Sequence, residues 1–175
     1  SLDYRLAKSV DISEDGTTYT LTLRDDIFWS DGEKITTDDI VFTLDTLTVP
    51  EGAPSTATAY KVDGEFCTYE KQSDTVIVFK VGRASNLFKK ALGALYVLPA
   101  HCFEGVPATE VLTCEQNANI ATSGAFVVDS FNVGEKLVCL KNPNYYRTAA
   151  HIDGFEVRCV SDASTQEIAF RNKEL

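Results

Sequence analysis

Thr18-Tyr19-Thr20-Leu21-Thr22-Leu23-Arg24-Asp25-Asp26-Ile27-Phe28-Trp29-Ser30-Asp31-Gly32-Glu33-Lys34-Ile35-Thr36-Thr37-Asp38-Asp39-Ile40-Val41-Phe42 carries the decisive local signals of this chain. Its first third alternates polar and apolar side chains, the period of a strand with one face on a core. An aromatic pair, Phe28-Trp29, then leads into an Asp31-Gly32 turn. Thr36 follows as a helix cap, with Asp38 and Asp39 at the positive end of the helix dipole. Ile40, Val41, Leu44 and Leu47 form one apolar stripe, so the spacing predicts a helix over 37–48. Strand, turn and capped helix in this order point to an α+β fold.

Upstream, Glu14-Asp15-Gly16 is a turn signal that makes residues 8–24 a hairpin. Downstream, residues 49–64 are rich in Pro, Gly, Ser and Thr and read as a loop. A second hairpin is expected from Glu65–Lys71 and Thr75–Val81, turning at Gln72-Ser73-Asp74. Residues 86–96 read as a short helix with Leu87, Phe88, Ala91, Leu92 and Leu95 on its apolar side, and 100–122 as mostly loop. Gly124–Asn132 and Glu135–Lys141 form another hairpin, Phe155–Val160 a further strand, and Ser161 or Asp162 caps a last helix carrying Ile168 and Phe170. Both early hairpins have one apolar face to cover, so they are expected in one sheet flanked by helix 37–48.

The chain has 175 residues with 44% hydrophobic and 24% charged, the composition of a globular domain. Its formal net charge of −10 repels phosphate backbones and argues against nucleic acid as a partner. The acidity is uneven, with 12 acids against 4 bases in residues 1–60 and 14 against 12 in residues 61–175. No apolar run reaches the roughly 18 residues of a membrane span, and Ser1-Leu2-Asp3-Tyr4-Arg5 lacks the pattern of a signal peptide. With no methionine and no stop signal at Asn172-Lys173-Glu174-Leu175, the sequence reads as a piece excised from a longer one.

Five cysteines, Cys67, Cys102, Cys114, Cys139 and Cys159, form no CxxC pair. Cys139 and Cys159 lie in strand patterns as small buried hydrophobes. Cys102 and Cys114 share one loop-like stretch, where an oxidising compartment would allow a disulfide. Asp11–Gly16 copies half of a calcium loop but places Thr22 where a bidentate Glu is needed, so it reads as a turn. Ser123 lacks a G-x-S-x-G context, no phosphate-cradling loop occurs, and His101-Cys102 stands too isolated to be a metal site. Asp25, Asp26, Asp31, Asp38 and Asp39 are explained by turns and a helix start. No catalytic set, metal set or cofactor motif emerges.

The order of these signals closely resembles the signature of family 5 extracellular solute-binding proteins, the oligopeptide-, dipeptide- and nickel-binding receptors of ABC importers. In that family a strand ending in LRDG precedes W-x-DG and T-A-x-D-V-x-F, which residues 21–42 match. Arg5-Leu6-Ala7 is similar to its "LA-x-x-W" entry, with Val10 in place of Trp. Val97-Leu98-Pro99-Ala100-His101 resembles "I-x-P-K-H". Ser123-Gly124-Ala125-Phe126 stands where the family has G-T-G-P-Y, without its first Gly and its Pro. Gly134–Leu140 and Asn142-Pro143-Asn144-Tyr145-Tyr146 match "P-G-x-x-x-x-L-x-x-N-P-x-Y-W", and Phe155–Leu175 is similar to the segment that closes with G-E-x-D.

The resemblance implies part of the N-terminal lobe of a periplasmic-binding-protein-like class II fold. Residues 1–115 would be its accessory subdomain and 116–175 part of its main α/β subdomain, with the second lobe absent. It further implies an extracytoplasmic receptor, periplasmic or lipid-anchored, which takes a small solute, peptide above others, and delivers it to an ABC permease without chemistry or cofactor. Ser123, Gly124, Ala125 and Phe126 would lie nearest the ligand. Trp29, Tyr145 and Tyr146 read as packing aromatics rather than ligand platforms. A surface adhesion module on the same fold is the alternative.

Overall fold

The computed structural model describes residues 5–49 and 54–173. The first four residues, the 50–53 part of the expected loop and the last two residues lie outside that range. Strands β1 (Ala7–Ile12) and β2 (Thr18–Leu23) form the first hairpin. Its turn is held by Asp15, whose carboxylate accepts from the Thr17 N–H at 3.0 Å, while Gly16 takes a φ of +70°. Helix α1 (Thr37–Thr48) follows. A short 3₁₀ turn over Ser55–Tyr60 leads into a two-residue ribbon, β3 (Lys61–Val62) with β4 (Glu65–Phe66). Then come β5 (Thr68–Ser73), β6 (Val76–Lys80) and α2 (Asn86–Gly93).

The two hairpins share one antiparallel sheet in the order β1-β2-β6-β5. Its register places Tyr19 opposite Phe79 and Leu21 opposite Ile77, so the apolar residues of both central strands share one face. That face, with Leu23, Ile40, Leu44 and Phe88, forms the core, and Leu47 packs against it half-buried. Helix α1 starts at the Thr36 cap expected, and Asp39 completes a capping box: Asp38 N–H donates to Thr36 Oγ1, and Thr36 N–H donates to Asp39 Oδ2.

Several element boundaries differ from the sequence reading. The strand expected over 65–71 breaks at Cys67, whose N–H turns away to Tyr60 C=O at 2.9 Å. This buries the thiol and pushes its pKa up to about 11, so Cys67 stays protonated and inert at neutral pH. Helix α2 stops at Gly93 rather than 96, where Ala94 leaves helical geometry at φ −106° and ψ 6° and shares its N–H between the Lys90 and Ala91 carbonyls. Phe88, Ala91 and Leu92 are buried as expected, but Leu87 is 75% exposed, one helical step of about 100° off that face. Residues 100–122 are mostly loop as expected, with Ala100–Phe103 and Glu115–Asn119 wound into 3₁₀ turns.

The expected Cys102–Cys114 disulfide is not formed. Both cysteines are free: Cys102 Sγ lies 3.5 Å from His101 Nε2, and the Cys114 thiol donates to Val111 C=O at 3.2 Å. Cys159 is exposed rather than buried, because the side of β9 it continues is itself open: Phe155 and Val157 are 40% and 50% exposed.

Strands β7 (Phe126–Asn132), β8 (Lys136–Lys141) and β9 (Gly154–Arg158) make a second antiparallel sheet with β8 central. Helix α3 (Ala163–Arg171) is capped by Asp162, whose Oδ1 accepts from Thr165 N–H at 2.8 Å. Mixed helices and antiparallel sheets make this the α+β architecture read from the sequence. Among the described residues, no helix is long and apolar enough to cross a membrane.

Candidate functional site

Between the two sheets runs Thr122–Ala125, a segment without regular structure that bends at Gly124 and Ala125 and is held from both sides. On one side is the Trp29–Gly32 turn, closed by Trp29 N–H to Glu33 C=O at 2.8 Å and Gly32 N–H to Trp29 C=O at 3.0 Å. Gly32 there has a φ of +96°, a conformation that favours glycine. Trp29 is buried beneath the turn. Ser30 then grips the segment twice: its N–H donates to Thr122 C=O at 2.8 Å, and its Oγ accepts from Thr122 N–H at 3.1 Å.

On the other side stands Asn142, a buried amide from the Asn-Pro-Asn motif. Its Nδ2 donates to Gly124 C=O at 2.7 Å, its N–H to Ala125 C=O at 2.9 Å, and its Oδ1 accepts from Asn144 N–H at 2.9 Å. Asn144 closes the loop by donating to Ser30 C=O at 3.0 Å. The carbonyls of Thr122, Gly124 and Ala125 are thus all engaged. Among the described residues, nothing accepts from the backbone N–H groups of Ser123 and Gly124.

This segment borders a cavity of about 710 Å³. Ser123, Gly124 and Ala125 line it, together with Leu6, Leu95, Tyr96, Tyr145 and Tyr146. Phe126 does not: its ring meets Phe155 edge-on with centroids 5.0 Å apart, in the second sheet. Among the described residues the cavity wall has no acid and no histidine, and its charged members are Arg5 and Lys89, both cations in a chain of net charge −10. Trp29 is the core aromatic the sequence suggested. Tyr145 and Tyr146 are more: half-buried, edge to face at 5.2 Å, they form part of the wall while Arg24 lies 5.4 Å over the Tyr146 ring. Only the adjacency of two aromatics to the Asn-Pro-Asn turn could have hinted at that role.

A second constellation was illegible in the sequence. Helix α1 docks the Val97–Ala100 stretch through Thr43 Oγ1, which accepts from Leu98 N–H at 2.8 Å, and Asp39 Oδ1, which accepts from Ala100 N–H at 2.9 Å. This fixes the turn that starts at Ala100 and brings His101 Nε2 within 2.7 Å of Asp31 Oδ2, across 70 residues of sequence. His101-Cys102 is therefore not isolated, as its spacing suggested. Partial desolvation alone would raise the Asp31 carboxyl pKa. The hydrogen bonds from His101 and the Glu33 N–H outweigh it, and the net shift is downward. With the folded value below the unfolded one, this link stabilises the fold above the ordinary carboxylate range. It is lost as pH falls through the lowered value.

The wall thus combines a pinned backbone segment with aromatic rings and two cations. The chain belongs to the bacterial extracellular solute-binding proteins of family 5, whose middle region matches residues 2–175. That is a family of solute-binding proteins, not of enzymes. The oligopeptide-binding protein AppA of Bacillus subtilis is 24% identical over 161 residues, covering 91% of this chain and 29% of the relative. The crystal structure of the ABC transporter substrate-binding protein CtaP of Listeria monocytogenes superposes with a TM-score of 0.90 at 27% identity, over 98% of this chain and 35% of that one. NikZ of Campylobacter jejuni, solved in complex with Ni(L-His), gives 0.84 at 26% identity, over 100% and 34%. The chain thus spans about a third of the length of these proteins.

Proposed function

We propose that the protein is the capture component of an ABC importer, an extracytoplasmic receptor that takes up a peptide and hands it to a membrane permease. Ser123, Gly124 and Ala125 form one wall of the ligand site, and Phe126 anchors the end of that wall in the second sheet. Residues 1–115 act as an accessory subdomain that props the wall through Ser30, and 116–175 belong to the main subdomain, which a second lobe faces.

The observation that carries this reading is the pinned segment. The carbonyls of Thr122, Gly124 and Ala125 are taken up by Ser30 and Asn142, while the N–H groups of Ser123 and Gly124 have no acceptor among the described residues. Backbone donors held in a pinned segment suit the carbonyl acceptors of a peptide backbone. The Tyr145 and Tyr146 rings offer amphipathic contact area to its side chains, and Arg5 or Lys89 suits its terminal carboxylate.

A two-walled site draws its affinity from desolvating the ligand between both walls. Calorimetry against a peptide library should therefore show tight binding by a protein of the relatives' full length. The isolated 175 residues should bind the same peptides at least about a hundredfold more weakly, a loss of about 2.7 kcal/mol. Equal sub-micromolar binding by both would place the site wholly within these residues, and peptide turnover would refute a receptor role.

A further inference from the structure

We propose that Asp31, His101 and Cys102 form a binding site for a zinc-like divalent transition metal ion, separate from the cavity beside Ser123. The donor atoms Asp31 carboxylate O, His101 Nε2 and Cys102 Sγ all lie within 4.8 Å of one another. None of the three residues lines the cavity.

The case rests on convergence. His101 and Cys102 are consecutive in a 3₁₀ turn, where neighbours point about 120° apart, yet Cys102 Sγ sits 3.5 Å from His101 Nε2. That separation is close to the N···S edge of about 3.6 Å expected for a tetrahedral zinc with Zn–N near 2.0 Å and Zn–S near 2.3 Å. The third corner, Asp31 Oδ2, is 2.7 Å from the same Nε2. A metal-bridged N···O edge is about 3.3 Å, so the carboxylate moves out by roughly half an ångström as the ion takes the place of the shared proton.

Two features prepare the triad. Glu33 N–H holds Asp31 Oδ1 at 3.1 Å, which leaves Oδ2 free to turn to the ion and orients the ligand from behind. Asp39 and Thr43, through Ala100 and Leu98, set the turn that presents the imidazole and thiol. All three residues are partly accessible, with the His101 side chain 32% and the Asp31 side chain 42% exposed, so an ion can enter and water completes the fourth position. One imidazole nitrogen, one thiolate and one carboxylate select zinc, cobalt or nickel over magnesium or calcium. On binding, the Cys102 thiol forms the metal–sulfur bond and releases its proton to solvent. His101 binds as neutral imidazole through Nε2 and Asp31 as carboxylate, so the site's net charge with the ion is zero.

Cobalt(II) titration of the full chain tests this, because a cobalt–thiolate bond gives a near-ultraviolet charge-transfer band. Exposed Cys159 is the competing thiol, so the titration is run in a Cys159→Ser background. The expected result is one equivalent of cobalt with the band, displaced by stoichiometric zinc, with proton release that follows the zinc. Cys102→Ser should abolish the band, and His101→Ala and Asp31→Asn should each weaken zinc binding at least about tenfold. Circular dichroism and an unchanged urea midpoint in Cys102→Ser confirm that its loss is not unfolding. A band that persists in Cys102→Ser, or zinc affinity equal in the parent and His101→Ala, would overturn the proposal and leave Asp31–His101 as an ion pair only. Magnesium binding as tight as zinc would overturn it as well.

Discussion

Replacing Trp29 with alanine is expected to cost about 3–5 kcal/mol of folding stability, the range for deleting a large buried aromatic. Trp29 is 2% exposed beneath the turn that it closes through its own N–H and C=O. The loss should appear in urea unfolding as a lower midpoint with an unchanged slope. Because Ser30 is the next residue and grips Thr122, the same variant should loosen the segment beside the cavity. Trp29→Phe should cost much less: the indole N–H has no hydrogen-bond partner among the described residues, so phenylalanine forfeits only volume. A Trp29→Ala loss below about 1 kcal/mol would show that the cavity collapses freely and that the turn does not depend on the ring.

The second large effect concerns Asp39, and its sharpest form is the isosteric change to asparagine. Both carboxylate oxygens of this buried side chain accept from backbone donors, Oδ2 from Thr36 N–H and Oδ1 from Ala100 N–H, each at 2.9 Å. An amide has only one oxygen, so in either rotamer its NH₂ group confronts an N–H, and one buried donor is left unpaired. The expected cost is about 2–4 kcal/mol, from the lost cap and the unpaired donor together. Asp38→Asn next door is the control: its partner is Lys71 at 2.7 Å in an exposed pair, and its loss should stay within about 1 kcal/mol. Comparable losses for the two variants in thermal or urea unfolding would refute this account of the helix start.

Both predictions fall on the stretch that was readable before any coordinates. The alternation of 18–23, the Asp-Gly turn and the Thr36 cap are local features, encoded within a few residues of where they act. What the sequence could not display are the meetings between distant segments. Asp31 is explained by its turn until His101 arrives from 70 residues away. Cys102 and Cys114 share a loop by spacing, yet each belongs to a separate turn with its own sulfur contact. The segment 123–126 was singled out by its alignment with a family motif, and three of its four residues border the cavity. Phe126 is turned aside by Phe155, a contact made by β-strand pairing through β8 that no local pattern announces.

The C-terminal helix has a kinetic meaning. Its nine residues bury no side chain, and a helix of that length is marginal without tertiary support. Residues 163–171 therefore sit at the low end of the scale of local opening, whereas the amides of the β1-β2-β6-β5 sheet are freed only when the core around Phe79 and Leu44 dissolves. The chain accordingly has two clocks. Deuterium enters the last helix on the timescale of fraying and the first sheet on that of global unfolding. A protease that samples open states would find its first purchase near residue 163, leaving the Trp29 turn and the segment it grips intact.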